Sequence, residues 1–490
     1  MNKILVATIG TRELMFQVDD GTWYNVGNDR QDDDIISQQN QVTASLGLDW
    51  EEYKSYRKLT KYLLDNLEQY QNRIKPVIWG KLFQDLQGEL KKVYLLCTDQ
   101  PESVSFRTRD TIYGGQIIAH FLKKLGLDVE IITFGKDGIN PSDFEQMFRW
   151  WQRVWDQQII VDNDDLILCL KGGVGQTAEA GRTSALGFFG ERVEFYDSQE
   201  NQKLNQQGMP SEYIGPTLGA NYLWSRVQKQ ALELLKNHNY LAVQGLLAAY
   251  FKQDTKGWGS TPTLLKGAIA WNQGQFDTFF KHVKNDLDNS QKSQDQNYWW
   301  QAYEQAYTAV IRLKQDNTTE AMLHSFRTIE GLIYEWIQEK FKKYINYVDS
   351  QGTSYPVLKN NILSIYPNLR DLFERFDQEN KGTVKISGEV QAALVLQTIP
   401  EAGQDPDFKA WNSKNARDTR NRLSHRLGGI DKRDLFLAWG TDIHKPEHWQ
   451  QRLLGCINLI TGQTFSTFEQ ASLFPIIHHQ LQKKINNYQV

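Results

Sequence analysis

The sequence predicts two fold classes in one chain: an α/β, doubly wound sheet in the N-terminal half and an all-α bundle in the C-terminal half. Two patterns predict this. Apolar runs of strand length alternate with helical stretches as far as Tyr196, which implies parallel strands joined by right-handed crossovers with helices on both faces. From Asn221 onward the apolar residues recur instead at three- and four-residue steps, the period of an amphipathic helix. A length of 490 residues suits two or three cores rather than one.

Lys3–Ile9 is a continuous apolar run that stops at Gly10-Thr11-Arg12, the pattern of a central strand buried on both faces. Leu14–Val18 and Thr22–Val26 flank Asp20-Gly21, a dipeptide suited to the positive φ of a tight hairpin turn. Polar Asn28–Gln41, with Asp32-Asp33-Asp34 inside it, reads as a solvated loop rather than a metal site, because three adjacent carboxylates have no partner ligands in view. Residues 50–90 are helical in composition. Strand runs return at Lys92–Cys97, Asp128–Phe134, Asp165–Leu170 and Arg192–Tyr196, separated by helical stretches near 108–125, 142–158 and 176–189.

Ligands of such sheets bind at the carboxyl ends of the strands. Those ends are Gly10-Thr11-Arg12, Thr98-Asp99-Gln100 and Lys171–Thr177. The last contains Gly173-x-Gly175-x-x-Ala178 between a strand and a helix, with Asp197 near the end of the next strand, which matches a dinucleotide fingerprint. That fingerprint ordinarily follows the first strand of its sheet, and this one follows a later strand. Phosphate contact by the backbone N–H groups of the helix start is expected; a helix-packing turn and a nicotinamide cofactor are the alternatives. No Gly-x-x-x-x-Gly-Lys-Ser/Thr pattern occurs, which argues against ATP or GTP hydrolysis.

Asp197–Ser211, rich in Gln and Asn, reads as an exposed excursion or linker. Ala231–Leu235, Leu241–Phe251 and Leu264–Phe280 form a predicted helical connector over 216–295, between a sensing domain at 1–215 and a helical domain at 296–490. A long helix is expected from Thr318 to about Tyr344. In it Leu323, Phe326, Ile329, Leu332, Ile333, Trp336, Ile337 and Phe341 share one wide apolar face, and Thr318-Thr319 gives a capping start. Glu330 borders that face, where it either orients a basic residue or meets water. His444-Lys-Pro446-Glu447-His448 has the spacing of an inverted zinc-protease motif, but Pro446 cannot sit inside the helix that would bring both histidines together. His478 and His479 point to different helix faces, which suits surface or core roles.

A net charge of −4, from 55 basic and 59 acidic residues, argues against a chain coated for nucleic acid, so any such surface is local. Residues 412–433 carry one: Lys414, Arg417, Arg420, Arg422, Arg426, Lys432 and Arg433 against Asp418 and Asp431. Cys97 and Cys169 lie in strand-like runs, and with three cysteines in the chain, buried free thiols are expected rather than a disulfide framework. The N-terminal apolar run is too short for a signal peptide or a span, and no later run reaches ~18 apolar residues. A cytoplasmic protein with no membrane partner is the expectation.

Inside the basic cluster lies Arg420-Asn421-Arg422-Leu423-Ser424-His425. Arginine is charged at any working pH and histidine both gives and takes a proton near neutrality, a pairing suited to phosphodiester cleavage. A helix capped by Asp418 or Thr419, running to Leu427 and stopped by Gly428-Gly429, is expected. At about 100° per residue, Asn421 and His425 share a face while Arg420 lies about 140° from His425. The two come together if the helix start loosens or if two copies meet about a two-fold axis, and a homodimer is the simpler arrangement. A basic exposed helix with a surface histidine is the alternative.

Arg420-Asn421-Arg-Leu-Ser-His425 resembles the Arg-x(4-6)-His motif of HEPN ribonucleases, whose domains are helical bundles of about this length. A HEPN region behind a Rossmann-like sheet with Gly10-Thr11 and Lys171-Gly172-Gly173 loops resembles the CRISPR-associated CARF-HEPN ribonucleases of type III systems. The resemblance implies a CARF domain that binds a cyclic oligoadenylate and a HEPN homodimer that then cuts single-stranded RNA without metal, in antiviral defence. It implies that Arg420 stabilises the crowded phosphate, that His425 moves a proton or positions the reacting groups as a ribose 2′-hydroxyl attacks, and that Asn421 holds the site together. Activator contacts would come from Gly10, Thr11, Arg12, Thr98, Lys171, Gly172, Gly173, Gln176 and Thr177, with Arg182 and either Arg107 or Arg109 beyond them. Cyclic tetra-adenylate is the default ring and cyclic hexa-adenylate the alternative; some CARF domains also cleave their activator. Two other readings are a ligand-sensing module that binds nucleic acid without cutting it and a Rossmann-type nicotinamide enzyme.

Overall fold

A computed structural model of the chain describes residues 3–27, 33–159, 161, 164–350, 353–377, 381–425 and 427–490. It divides into two compact units at Arg226/Val227, and the helix Gly219–Lys236 runs through the division.

The first unit is built on a six-stranded sheet. Its strands are β1 (Lys3–Thr8), β5 (Leu90–Thr98), β6 (Val129–Phe134), β7 (Asp165–Cys169), β8 (Val193–Gln199) and β9 (Glu212–Leu218), in the order β6-β5-β1-β7-β8-β9. β1 pairs in parallel with both β5 and β7. Its continuous apolar run exists because the two faces feed separate cores: Leu5 and Ala7 join Leu95, Cys97 and Ile117, whereas Ile4 and Val6 join Leu96, Trp150 and Trp151. The expected hairpin is present as β2 (Leu14–Gln17) and β3 (Trp23–Asn25), with Gly21 at φ +90° in its turn. A third strand, β4 (Ile74–Pro76), emerges from the helical segment 50–90 to pair with β2.

Two loops expected in this half are regular structure. Where a solvated loop was expected, Asp33–Ser45 is a helix. It lacks an apolar stripe because it buries amides instead: Gln38 Oε1 accepts from Asn25 N (3.3 Å) and Gln39 Nε2 donates to Lys54 O (3.2 Å). Asp32, like Arg426 of the basic cluster, lies outside the described residues. Asp197–Ser211 is not a linker, since β8 continues to Gln199 and the helix Gln202–Asn205 leads into β9, antiparallel to β8. β9 escaped notice because an exposed edge strand needs no apolar run and tolerates Pro216. The expected boundary at 215 therefore falls within a strand.

The second unit is mostly helical but not all-α. The long helix spans Thr318–Lys340, with Asn317 as its cap in place of Thr318, and Leu323 is 50% exposed, off the buried face. It is followed by an antiparallel sheet of β10 (Ile345–Ser350), β11 (Thr353–Lys359) and β12 (Thr383–Lys385). Pro356 in β11 reads against a central strand, yet its carbonyl still accepts from Ile386 N (3.2 Å). The segment 227–295 packs into this unit rather than standing apart as a connector: Trp271 stacks on Phe474 at 3.6 Å between ring centroids. Beside them the buried Glu304 accepts from Trp271 Nε1 (2.7 Å), Ser472 Oγ (2.7 Å) and Leu473 N (2.6 Å), joining three helical segments through one carboxyl.

Three buried donors lose their acceptor in Glu304→Ala, which is expected to cost about 3 kcal/mol of unfolding free energy. Glu304→Gln, offering one acceptor oxygen instead of two, is expected to fall between. Urea titrations followed by tryptophan fluorescence check both, and a Glu304→Ala midpoint equal to wild type would contradict the role.

Candidate functional site

β1 lies between β5 and β7, so the chain leaves it in one direction across the sheet and later returns on its other side. The carboxyl ends of strands diverge at such a switch point and leave a crevice. Here the crevice is a cavity of about 620 Å³, bordered by the loops that follow β1, β5, β6 and β7. Its floor is bare backbone. A Cβ on Gly172 would overlap Thr8 O and Gly10 N, and one on Gly10 would lie 3.1 Å from Gly173 N, so the ends of β1 and β7 approach only because these positions are glycine. Gly173 holds φ at +89°. The helix Gly175–Phe189 begins next to this floor, and its N-cap, Val174, provides no side-chain acceptor. Its first N–H groups are thus available to an anion.

Gly10, Thr11, Arg12, Thr98, Lys171, Gly172 and Gly173 line the cavity, and Arg109 joins them. Arg12 is paired with Glu200 at 3.2 Å. Thr177 is elsewhere: buried, its hydroxyl donates to Pro141 O (2.8 Å) and its carbonyl accepts from Trp151 Nε1 (2.9 Å), which fastens the helix to the loop after β6 and to the helix Phe144–Gln157. Gln176 is exposed and outside the lining. Arg182 donates to Tyr222 OH (3.1 Å) and lies over the Phe195 ring, and Arg107 donates to Gln100 O (3.0 Å), so neither belongs to the lining.

Several lining residues were not anticipated. Asn140, Pro141 and Ser142 follow β6, and the rule that found the other loops, applied to this strand end, would have found them. Phe106 stands 64% exposed on the lining. Glu13 is 3% exposed, and burial, with a smaller push from Glu200, raises its carboxyl to about 8 against the pull of the Gly10 N–H. No pattern in the sequence distinguishes this glutamate from a solvated one.

The Arg420 helix differs from expectation at its start. It spans Lys414–Ser424 with Ser413, not Asp418 or Thr419, as the cap, and it ends at His425 rather than Leu427, which is 97% exposed. Arg420 is therefore mid-helix and only 8% exposed. Its guanidinium lies between the rings of Phe326 (4.6 Å) and Trp411 (4.9 Å), and Nη1 donates to Trp411 O (2.8 Å). Burial lowers its pKa to about 10 while the charge of Glu330 opposes the fall, so it remains cationic at neutrality. Asn421 and His425 are exposed. One copy of the chain turns Arg420 inward and His425 outward, as the helical wheel implied.

Four other histidines lie apart from that helix. His444 lies outside the helix that begins at Pro446. His478 Nδ1 and His238 Nδ1 both hydrogen-bond Tyr240 OH (2.8 and 2.7 Å), a half-buried chain, whereas His479 is exposed. Among the described residues no group of three or more His, Cys, Asp or Glu could hold a metal ion, and no helix is long and apolar enough to cross a membrane. All three cysteines are buried and free.

Because the cavity floor has no room for a side chain, Gly172→Ala is expected to destabilise the first unit by about 1–3 kcal/mol. Thermal unfolding checks this, and an unchanged melting temperature would contradict the close approach of β1 and β7.

No protein-family model matches the sequence, and no curated protein does. Among solved structures, Enterococcus italicus Csm6 bound to cyclic hexa-2′-fluoro-hexa-dAMP matches with a TM-score of 0.58 at 12% identity, covering 99% of this chain and 100% of that one. The chain thus shares the fold of that Csm6 along nearly its whole length: a Rossmann-like doubly wound sheet followed by a largely helical region.

Proposed function

We propose that the chain is a cyclic-oligoadenylate-activated endoribonuclease of type III CRISPR antiviral defence, which cuts single-stranded RNA as a homodimer without metal. The observation that carries this reading is the glycine-floored cavity at the switch point, in a chain that also carries the Arg420–His425 helix. A structure of the same fold holds a cyclic hexanucleotide analogue, which supports a cyclic oligoadenylate as activator and moves hexa-adenylate ahead of tetra-adenylate. Backbone N–H groups of Gly10, Thr11, Gly172 and Gly173, with Thr98 and Lys171, take the activator's phosphates.

In the second unit His425 exchanges the proton of the attacking 2′-hydroxyl and Arg420 offsets charge on the crowded phosphate. Since one copy turns these side chains apart, cleavage needs two copies whose Lys414–Ser424 helices meet and a shift that brings Arg420 to the phosphate. An activator drives that shift only through greater affinity for the competent conformation. The inward Arg420 favours one other reading, a ligand-sensing protein that binds RNA and leaves it intact.

With labelled single-stranded RNA in EDTA, cyclic hexa- or tetra-adenylate is expected to stimulate cleavage, and His425→Ala to lose at least about 100-fold of it. RNA retained in a gel shift but uncut with either ring selects the non-cutting reading, and equal cleavage by wild type and His425→Ala removes the proposed site. Lys171→Ala is expected to raise the activator concentration needed about tenfold while maximal cleavage stays unchanged; an unshifted activation curve would exclude Lys171 from the activator site.

A further inference from the structure

We infer that Glu13 is a protonation-dependent positioning residue of the cavity: as a neutral acid it leaves the Gly10 amide to an anionic ligand, and as a carboxylate it competes for that amide. The inference rests on reading the cavity as a phosphate site. Glu13 lines the cavity from the loop after β1, almost wholly buried, and its Oε1 accepts from Gly10 N at 3.4 Å. Gly10 is also the residue whose missing side chain opens the floor. A phosphate taken up there meets an amide already turned toward a carboxyl, and two anions are not held by one N–H in a buried site.

The groups facing Glu13 do not relieve this. Among the described residues, those whose charge reaches it are Glu200, with its partner Arg12, and the buried, neutral Tyr56, Cys97 and Cys169, while Asp110 and the cations Lys171 and Arg109 line the same cavity. Burial raises the Glu13 carboxyl to about 8, so at neutrality the site is poised in its ligand-accepting form. A bound anion raises it further. Binding therefore takes up a proton above that range, and affinity is greatest below the free-state titration and falls as pH rises through it.

The experiment is calorimetric titration of the full-length protein with cyclic hexa-adenylate from about pH 7 to about pH 9.5, for wild type and Glu13→Gln. Wild-type affinity is expected to fall roughly tenfold across that range, and Glu13→Gln, which cannot ionise, to bind equally well throughout. Wild-type titrations near pH 8 in two buffers of different ionisation enthalpy are expected to show proton uptake, a readout that stands even if the variant does not fold. Constant wild-type affinity, no proton uptake, or the same pH dependence in Glu13→Gln overturns the inference and leaves the activator standing. Absence of binding by both proteins at every pH removes the activator and the inference with it.

Discussion

The close approach of β1 and β7 at their carboxyl ends is the contact on which the rest of the first unit depends. Two parallel strands can end side by side with their loops touching only where no Cβ intervenes, and Gly10 and Gly172 meet that condition. β1 in turn must be buried on both faces to lie at the centre of the sheet, which is why its residues are apolar without alternation. The cavity is thus a product of strand order and two missing side chains rather than of any dedicated binding element.

Buried ionisable groups are handled in three ways, and the differences carry information. Glu304 is matched by three donors from two other segments and behaves as a structural tie. Arg420 is matched by a carbonyl and two aromatic faces, which hold its charge. Among the described residues, Glu13 receives one long hydrogen bond, from the loop that floors the cavity. An ionisable group buried with so little compensation is costly in a structural role and characteristic of a site.

Much of the fold was legible. The runs at Lys3–Ile9, Lys92–Cys97, Asp128–Phe134, Asp165–Leu170 and Arg192–Tyr196 fall on the parallel strands because a strand buried on both faces writes its burial directly into composition. The elements that escaped are those whose burial is shared or partial. β9 is an exposed edge, β4 and β12 are three residues each, β11 carries a proline, and Asp33–Ser45 buries glutamines through hydrogen bonds. None of these leaves an apolar run.

For the cavity, the sequence by itself determined the three strand-end loops at Gly10, Thr98 and Lys171, because where an apolar run stops and where glycines fall are local, readable properties. It also determined that Arg420 and His425 diverge on one helix, since that follows from helical pitch alone. Only the tertiary structure decided that Arg420 lies between Phe326 and Trp411, that Thr177 fastens a helix rather than facing the cavity, and that the buried Glu13 accepts from Gly10 N. In each case the outcome depends on which distant residue packs against a side chain, and a linear spacing carries no record of that partner.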